Sequence, residues 1–409
     1  MSSCEAEKIL TERKSVSAWR PRSYHTSGTP TALVFVVGRL ETVELASIPI
    51  GVTTMNIIDY AVFEGLATSL DTPCSQAYGS GENLKLVGVH VQRMFLFLML
   101  VAIPIMAFWI FHPALCPYTQ HSKLEKRFLQ AQGDFWGGLF ALLVSTPVLI
   151  ILNWLFVFQF HLGITGAALA TALILNLRPF ILLFYMLFYA PWTIQCWPGL
   201  ILASTFVNWK PMIRLSLPGA AMAVFEWLSF EIMTFSTSYL GTIPLAAQSI
   251  FATTAVVMWH ISFSASIAAG TRVEQLIGSG AVNSAKQASM LYFAMFIFIA
   301  CFNSSLTLIC KSILPRTFTT DDKVRTVVTA TIPIVAAFEF FDATAAGLQG
   351  VIRGLGWQSI GAWVTLLVNY SYAVPLALIL ELGLCGAPYL GLHGLWGSLA
   401  SGLAILHLL

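Results

Sequence analysis

The chain alternates long apolar runs with short polar connections over most of its length. A membrane helix needs about 20 predominantly apolar residues to cross a bilayer core of about 30 Å. Ten runs reach that length, and we interpret each as a transmembrane helix: 47–70, 88–111, 135–158, 164–190, 212–240, 243–268, 287–310, 327–350, 359–381 and 391–409. The pattern therefore predicts an all-α polytopic membrane protein with about ten full transmembrane helices.

The composition excludes several other classes of protein. Of the 409 residues, 57% are hydrophobic and 10% are charged, with a mean hydropathy of +0.78. A soluble domain carries about 25% charged residues, so a soluble globule is excluded. The net charge of +2 comes without any Lys/Arg block, so we expect no nucleic-acid partner. The seven cysteines lack paired metal-ligand spacing, and we expect no metal and no cofactor.

The polar N-terminus, residues 1–30, has no apolar signal segment and is expected to be a disordered tail. Orientation follows from the positive charges, because cytoplasmic connections carry an excess of Lys and Arg. These residues fall in alternate connections, which we place in the cytoplasm: Lys85, Arg93, Lys210, Arg214, Arg272, Lys286 and Arg353. The basic connection 311–325 is the exception to this pattern.

The two halves of the chain repeat each other. "RLETVELASIPI" (39–50) matches "YLGTIPLAAQSI" (239–250) at five positions, and "QAYGSG" (76–81) matches "QLIGSG" (275–280). Internal repeats are common in secondary transporters, whose substrate and ion sites lie near the midplane between the repeats. We expect the glycines of both GSG segments to form turns between helices.

The repeat also exposes a difference between the halves. The interval after the first GSG segment is shorter than that after the second by about 24 residues, the length of one membrane helix. In the second copy this interval holds the run 327–350, whereas the first copy holds only "CPYTQHSKLEKRF" (116–128). We therefore expect the first half to lack this helix, and also a counterpart of 212–238.

Several stretches resemble a known family: "GLATSLDTPCSQAYGSG", "KRFLQAQG", "EWLSFE", "YLGTIPLAAQS" and "FDATAAGLQGVIRGLG". They are similar to signature stretches of eukaryotic multidrug and toxic compound extrusion (MATE) transporters. The resemblance implies two six-helix lobes around a central cavity. On that plan, residues 31–198 form an incomplete N-lobe, with helix 4 missing near 116–128, and 199–409 form the C-lobe. Most of helix 1 and the chain end are also expected to be missing, because on that plan the sequence stops partway through or just after helix 12.

The segment "FEWLSFE" (225–231) places two glutamates in an apolar run. A carboxylate at the centre of a membrane helix costs about 2.5–3.5 kcal/mol on insertion, so it faces the bundle interior or water. Glu226 and Glu231 lie about 140° apart around a helix and cannot share one face. We expect one to point into the cavity and the other toward a neighbouring helix.

The run 327–350 carries a second polar group. Glu339, Asp342 and Gln349 are spaced by three and seven residues, which predicts one polar stripe along the helix. The resemblance implies that the acids matching Glu226 and Asp342 couple transport to protons. A desolvated carboxyl group beside another one can bind and release a proton near physiological pH, which supports this assignment.

The proton-coupling and substrate-binding group therefore comprises Glu226, Asp342, Glu231, Glu339 and Gln349. Glu231 and Glu339 could instead stabilise the lobe.

Three further residues are secondary candidates. Asp71 is expected to fix a helix end or an interhelix contact rather than to bind substrate. Glu64, together with Asp59, could line the N-lobe. Trp227 lies beside the acids and either packs in the core or holds a cationic ligand against its ring face.

These observations favour a secondary antiporter that exports organic cations or other amphiphiles in exchange for protons, with sodium as the alternative ion. We expect a multi-pass monomer embedded in the bilayer of the plasma membrane or of a vacuolar or other endomembrane. One alternative is a truncated or mis-spliced product that does not transport, because the charged linker 112–134 would have to return across the membrane in extended form. A second is a flippase for lipid-linked substrates, although the spans contain few Lys or Arg residues. An intramembrane enzyme is not expected, because HExxH and GxSxG are absent.

Overall fold

The computed structural model describes residues 61–108, 116–319 and 321–407. In these ranges the chain is almost entirely helical and forms no strand. The described part of the first half forms α1 (Val62–Thr68), α2 (Asp71–Ser80), α3 (Lys85–Phe108), α4 (Cys116–Ala131), α5 (Trp136–Asn153) and α6 (Gly163–Phe188). The second half forms α7 (Leu202–Thr205), α8 (Trp209–Thr237), α9 (Thr242–Gly278), α10 (Val282–Ile309), α11 (Leu314–Phe318), α12 (Asp322–Gly354), α13 (Gln358–Val368), α14 (Val374–Leu382) and α15 (Leu392–Leu406).

Seven helical segments in the described ranges are long and apolar enough to cross a membrane. They are Lys85–Ile105, Trp136–Gln159, Leu169–Phe188, Thr242–Gly278, Val282–Ser312, Asp322–Gly354 and Gln358–Leu382, and each coincides with a predicted run. The prediction of an all-α polytopic membrane protein is confirmed.

The other three predicted runs are not among these seven segments, each for a different reason. Most of 47–70 lies outside the described residues. The run 212–240 forms α8, a helix of 29 residues whose two glutamates lower its hydropathy. The last run forms α15, which is apolar but has only 15 residues.

Local sequence features explain where α12 begins and why α8 and α12 continue as far as the predicted acids. Asp321 precedes α12, and its Oδ1 accepts a hydrogen bond of 2.9 Å from the backbone N–H of Lys323. This bond satisfies one of the donors left free at a helix N-terminus. Pro218 lies inside α8 and Pro333 inside α12, as a packed membrane bundle tolerates. Both long helices therefore continue past their prolines to the acids.

The segment near 116–128 corrects one expectation. Its described part is not an extended linker but the 16-residue helix α4, which packs against α3 and α6 and also contacts α1 and α2. A helix satisfies its backbone hydrogen bonds internally, which extended backbone in lipid cannot do. α4 is nevertheless too polar to be one of the described helices that could cross a membrane, unlike α12, its counterpart in the repeat.

The buried apolar side chains form two main cores, one in each half of the chain. The first is formed by residues of all six helices from α1 to α6 and also includes Met212 of α8. The second lies among α8, α9, α12, α14 and α15. Large, fully buried members of the first core include Leu70, Met94, Leu98, Leu124 and Leu129, and those of the second include Phe251, Ile332, Phe338, Leu395 and Trp396. The two-lobed architecture follows from this division.

The two lobes meet where α2 packs along α9 and where α1 packs along α8. The turn prediction for the GSG segments is confirmed for Gly81 and Gly280, which follow these helices with φ angles of 69° and 76°. Glycine adopts this left-handed conformation without strain. Gly79 and Gly278, by contrast, lie within α2 and α9 at the contact between the lobes.

Candidate functional site

A narrow cavity of about 30 Å³ lies inside the C-terminal lobe. Its walls come from α8, α9, α12, α13 and α15, with Asn369 from the π-helical segment (Asn369–Ala373) that follows α13. The lining residues are Glu226, Ser229, Phe230, Trp259, Phe338, Asp342, Ala345, Ala346, Gln349, Thr365, Asn369, Leu399, Leu403 and Leu406. The structure therefore brings Glu226 and Asp342 together with Gln349, although they are far apart in the sequence.

The α12 wall of the cavity follows helical spacing. Phe338 precedes Asp342 by one turn, the small Ala345 and Ala346 follow it by one turn, and Gln349 follows by two. Residues at these spacings share one face of an α-helix. The alanines leave space beside the Asp342 carboxyl group.

The α8 wall places Glu226 opposite this face. The side chain of Gln349 is within hydrogen-bonding reach of the Glu226 carboxyl group, and Asp342 lies close enough to repel it electrostatically. Ser229 Oγ donates to the backbone carbonyl of Glu226 at 2.7 Å. The cavity is thus a shared space for two carboxyl groups and one amide.

Glu231 and Glu339 do not line this cavity. Glu231 is half-buried elsewhere on α8, as its angular separation of about 140° from Glu226 predicts. The stripe prediction is corrected for Glu339, which is fully buried and has neither carboxyl oxygen hydrogen-bonded within the described residues. A spacing of three residues leaves Glu339 about 60° from Asp342 around the helix. That rotation is enough to move it from the cavity into the packed interior.

Trp227 does not line the cavity but contacts Trp259, which does. Its ring meets that of Trp259 edge-to-face, with centroids 6.3 Å apart. Trp259 lines the cavity and stacks on Phe263 at 4.4 Å. The indole beside the acids is therefore Trp259, which the sequence analysis did not single out as a site residue.

Glu64 and Asp71 form a separate cluster in the N-terminal lobe. The guanidinium of Arg127 donates from Nη2 to Glu64 Oε1 at 2.5 Å and from Nη1 to Asp71 Oδ2. Lys123 lies 3.6 Å from Glu64. Arg127 is 4% exposed, so the cluster ties α4 to α1 and α2 from inside the lobe. The interhelix contact expected of Asp71 is present, and Asp59 lies outside the described residues.

Sequence reasoning missed two buried acids. Glu274 of α9 accepts a hydrogen bond of 3.3 Å from Thr72, whose hydroxyl also donates to the backbone carbonyl of Arg353. Glu381 of α14 is fully buried and accepts from the hydroxyls of Ser236 and Thr237 at 2.5 and 2.6 Å. Glu381 could have been found, because it is the only acid in its apolar run.

Comparisons with known proteins agree with this helical architecture. The family model described as MatE matches residues 26–125 and 218–379. An uncharacterized transporter of Schizosaccharomyces pombe is 32% identical over 405 residues, which cover 93% of this chain and 74% of that protein. Multidrug and toxin extrusion protein 1 of Homo sapiens is 30% identical over 394 residues, covering 88% and 66% respectively.

An uncharacterized transporter of Saccharomyces cerevisiae is 32% identical over 406 residues, and here the chain spans 57% of the relative's length. Among solved structures, the eukaryotic MATE transporter AtDTX14 superposes with a TM-score of 0.82 at 26% identity, covering 94% of this chain and 91% of that one. A MATE transporter of Vibrio cholerae in its bent form has a TM-score of 0.71 at 17% identity, covering 93% and 90%, and shows the shared fold.

Proposed function

The chain belongs to the MatE family of transporters, and from that premise we propose that it is a secondary antiporter that moves organic cations or amphiphiles in exchange for protons. It works without a cofactor, draws its energy from the ion gradient and acts as a monomer in the bilayer. Transport, rather than catalysis, is the activity that this family membership supports.

The observation that carries the proposal is the shared cavity of Glu226 and Asp342. Two carboxyl groups in one desolvated space repel each other when both are charged, so the pair binds a proton readily. A cation that approaches the same negative charge competes with that proton. Antiport requires this competition, because proton release must accompany cargo binding.

The size of the cavity limits what it holds in this conformation. Its volume of about 30 Å³ is close to the share of one water molecule in the liquid. Sites for drug-sized molecules measure about 300–1,000 Å³. We therefore assign the cavity to the coupling ion, and cargo reaches the acids only after the surrounding helices separate. Trp259, Phe230 and Phe338 would then offer ring faces to a cationic cargo.

Reconstitution in liposomes tests the proposal. The purified chain is expected to move a cationic dye when a pH gradient is imposed, and Glu226→Gln and Asp342→Asn should each abolish this movement. Glu231→Gln is the matched control, since it makes the same change on the same helix outside the cavity, and it should retain transport. Parent-like transport by both cavity variants would refute the assignment. Replacing the pH gradient with a sodium gradient distinguishes the two coupling ions.

The polarity of α4 favours one competing function, a folded protein that does not transport, because α4 is not among the described helices that are apolar enough to cross a membrane. In that case the C-terminal lobe would keep its cavity while the N-terminal lobe could not move as a unit. The parent chain would then unfold cooperatively on heating but would move no dye under either gradient.

A further inference from the structure

One connection of the C-terminal lobe carries a group of charges that the cavity of Glu226 and Asp342 does not use. Four consecutive spans of this lobe alternate in direction, so the connections before the first, after the second and after the fourth lie at the same end of the bundle. These connections are 238–241, 313–321 and 383–391. The first and the last contain no charged residue. Only the middle one is charged, and its charges continue into the flanking helix ends to form the basic connection 311–325.

The basic connection keeps an excess of positive charge after its own ion pair has formed. Arg325 Nη1 donates to Asp322 Oδ1 at 2.9 Å, and Arg325 Nε donates to the carbonyl of Thr319 at 2.9 Å. Three further basic side chains form no ion pair within the described residues, and we call them the interfacial cations: Lys311, Arg316 and Lys323. Within the connection, Asp321 is the one carboxylate left to oppose them.

The interfacial cations lie at the level of the lipid headgroups. Lys311 is within one residue of the end of one span, and Lys323 is within one residue of the start of the next. Arg316 lies between them on α11, which is held against the lobe by the buried Pro315 and the partly buried Leu314. Lys and Arg at the ends of membrane helices extend their charges into the interface. Phospholipid phosphates occupy the same level.

Exposed apolar side chains accompany these charges. Three of them are more than half exposed, and we call them the interfacial apolar residues: Ile309, Ile313 and Phe318. A segment with basic and exposed apolar residues inserts its apolar side into the bilayer while its cations attract anionic lipids. Charge and apolar surface together therefore fit a partner with a negative head and an apolar body.

We propose that the basic connection 311–325 is a binding site for an anionic phospholipid of the adjacent leaflet. The lipid phosphate lies among the interfacial cations, and the acyl chains pack beside the interfacial apolar residues. Phosphatidylcholine carries a positive charge that the same cations repel, so the site selects an anionic headgroup such as phosphatidylglycerol. The site lies outside the cavity of Glu226 and Asp342, and binding there does not require antiport. The bound lipid offsets positive charge at the end of the bundle opposite Arg272 and Lys286.

Photo-cross-linking to the full-length chain in liposomes tests the proposal. The two probes are phosphatidylglycerol and phosphatidylcholine with the same diazirine-bearing acyl chain, and peptide mass spectrometry measures the labelling of residues 309–318. We expect the phosphatidylglycerol probe to label this segment at least about tenfold more than the other probe. Each Lys or Arg near a membrane surface strengthens the binding of an anionic lipid by about fivefold. Replacing all three interfacial cations by glutamine should therefore remove the preference while labelling by the phosphatidylcholine probe continues.

Matched variants separate charge at this site from charge elsewhere. Arg316→Lys keeps the charge and should label like the parent. Lys85→Gln, Lys210→Gln and Lys286→Gln together remove three exposed charges at the opposite end, and they should leave the labelling of 309–318 unchanged. Added salt should weaken the preference of the parent without any substitution, because it screens exposed charges.

Three results would overturn the proposal. The first is equal labelling of the parent by both probes. The second is a preference that persists at high salt or after all three interfacial cations are replaced. The third is displacement of the phosphatidylglycerol probe by soluble glycerol phosphate, which would identify a site for a free phosphate group instead of a lipid.

Discussion

Gly79 of α2 lies so close to Gln275 of α9 that a Cβ atom on the glycine would stand 2.1 Å from the Gln275 carbonyl oxygen. The relation is reciprocal, because a Cβ on Gly278 would stand 2.2 Å from the carbonyl oxygen of Gln76. These four residues are the matching positions of the sequence repeat. At this contact the two lobes therefore use the same two residues of each copy of the repeat.

Replacing either glycine should separate the lobes. Gly79→Ala and Gly278→Ala each force a methyl group into backbone, and we expect a loss of about 1–3 kcal/mol in the free energy of unfolding. Thermal unfolding in detergent measures this loss. Gly397→Ala is the control, because this helical glycine of α15 has open space around its Cα, so alanine should stabilise the protein slightly. Equal effects at all three positions would contradict the contact.

Arg127 should be essential to the N-terminal lobe. Arg127→Met leaves Glu64 and Asp71 buried without their shared partner, and removing one member of a buried ion pair costs about 3–5 kcal/mol. Chemical or thermal unfolding should show the loss directly. Adding Glu64→Gln and Asp71→Asn to Arg127→Met should recover much of it, since no uncompensated charge remains. Lys123→Met, which removes a longer and more exposed contact of 3.6 Å, should cost less than about 1 kcal/mol.

Glu381 should matter for stability and not for coupling. Its carboxyl group lies outside the cavity and joins the end of α8 to α14 through Ser236 and Thr237. Glu381→Ala removes the buried carboxylate that both hydroxyls share and leaves them only the Met233 carbonyl as acceptor, so it should cost about 1–3 kcal/mol. Glu381→Gln keeps an oxygen acceptor and should retain dye transport in liposomes. Loss of transport by a stable Glu381→Gln protein would show that this acid also takes part in coupling.

Asp134 gives a pH-dependent test outside the membrane-spanning segments. Burial raises the pKa of Asp134 above its ordinary value of 3.8, against the opposing hydrogen bonds from the Trp136 N–H and the Tyr185 hydroxyl. An acid whose pKa is raised by folding stabilises the protein below the ordinary value. That contribution is lost as the pH rises through the folded pKa.

At neutral pH, Asp134→Asn should therefore raise the melting temperature, since it keeps an acceptor for the backbone N–H of Trp136 without the charge. Asp134→Ala removes the acceptor at the start of α5 and should cost about 1 kcal/mol. Melting curves at acid and neutral pH check both variants. The advantage of Asp134→Asn should shrink at acid pH, and an advantage independent of pH would show that the charge is not its cause.

The sequence predicted the helices and part of the site because both depend on local spacing. Apolar runs determine where a membrane helix can form, and seven of the predicted runs coincide with spanning helices in the described ranges. Asp342 and Gln349 are two turns apart, so they share a face wherever the helix packs. Glu339 shows the limit of this reasoning, since small rotations decide between a cavity and a packed interface.

The remaining features depend on contacts that spacing cannot specify. Arg127 meets Asp71 and Glu64 across 56 and 63 residues of sequence. A charged residue predicts exposure to water from the sequence alone, whereas Arg127 is buried because these two carboxylates neutralise it. A cavity of about 610 Å³ in the first half of the chain is likewise lined by α3, α4, α6 and the segment 194–205 together, so no single stretch of sequence encodes it.

The charge on α4 has a consequence for membrane insertion. In the part of the chain that the structure describes, α4 is not among the helices apolar enough to cross a membrane, and its Arg127 is buried against Glu64 of α1 and Asp71 of α2. A charged side chain at the centre of a bilayer costs about 2.5–3.5 kcal/mol on insertion. The two carboxylates offset this cost only once α1 and α2 are in place. α4 should therefore enter the lobe after those two helices, late in the assembly of the bundle.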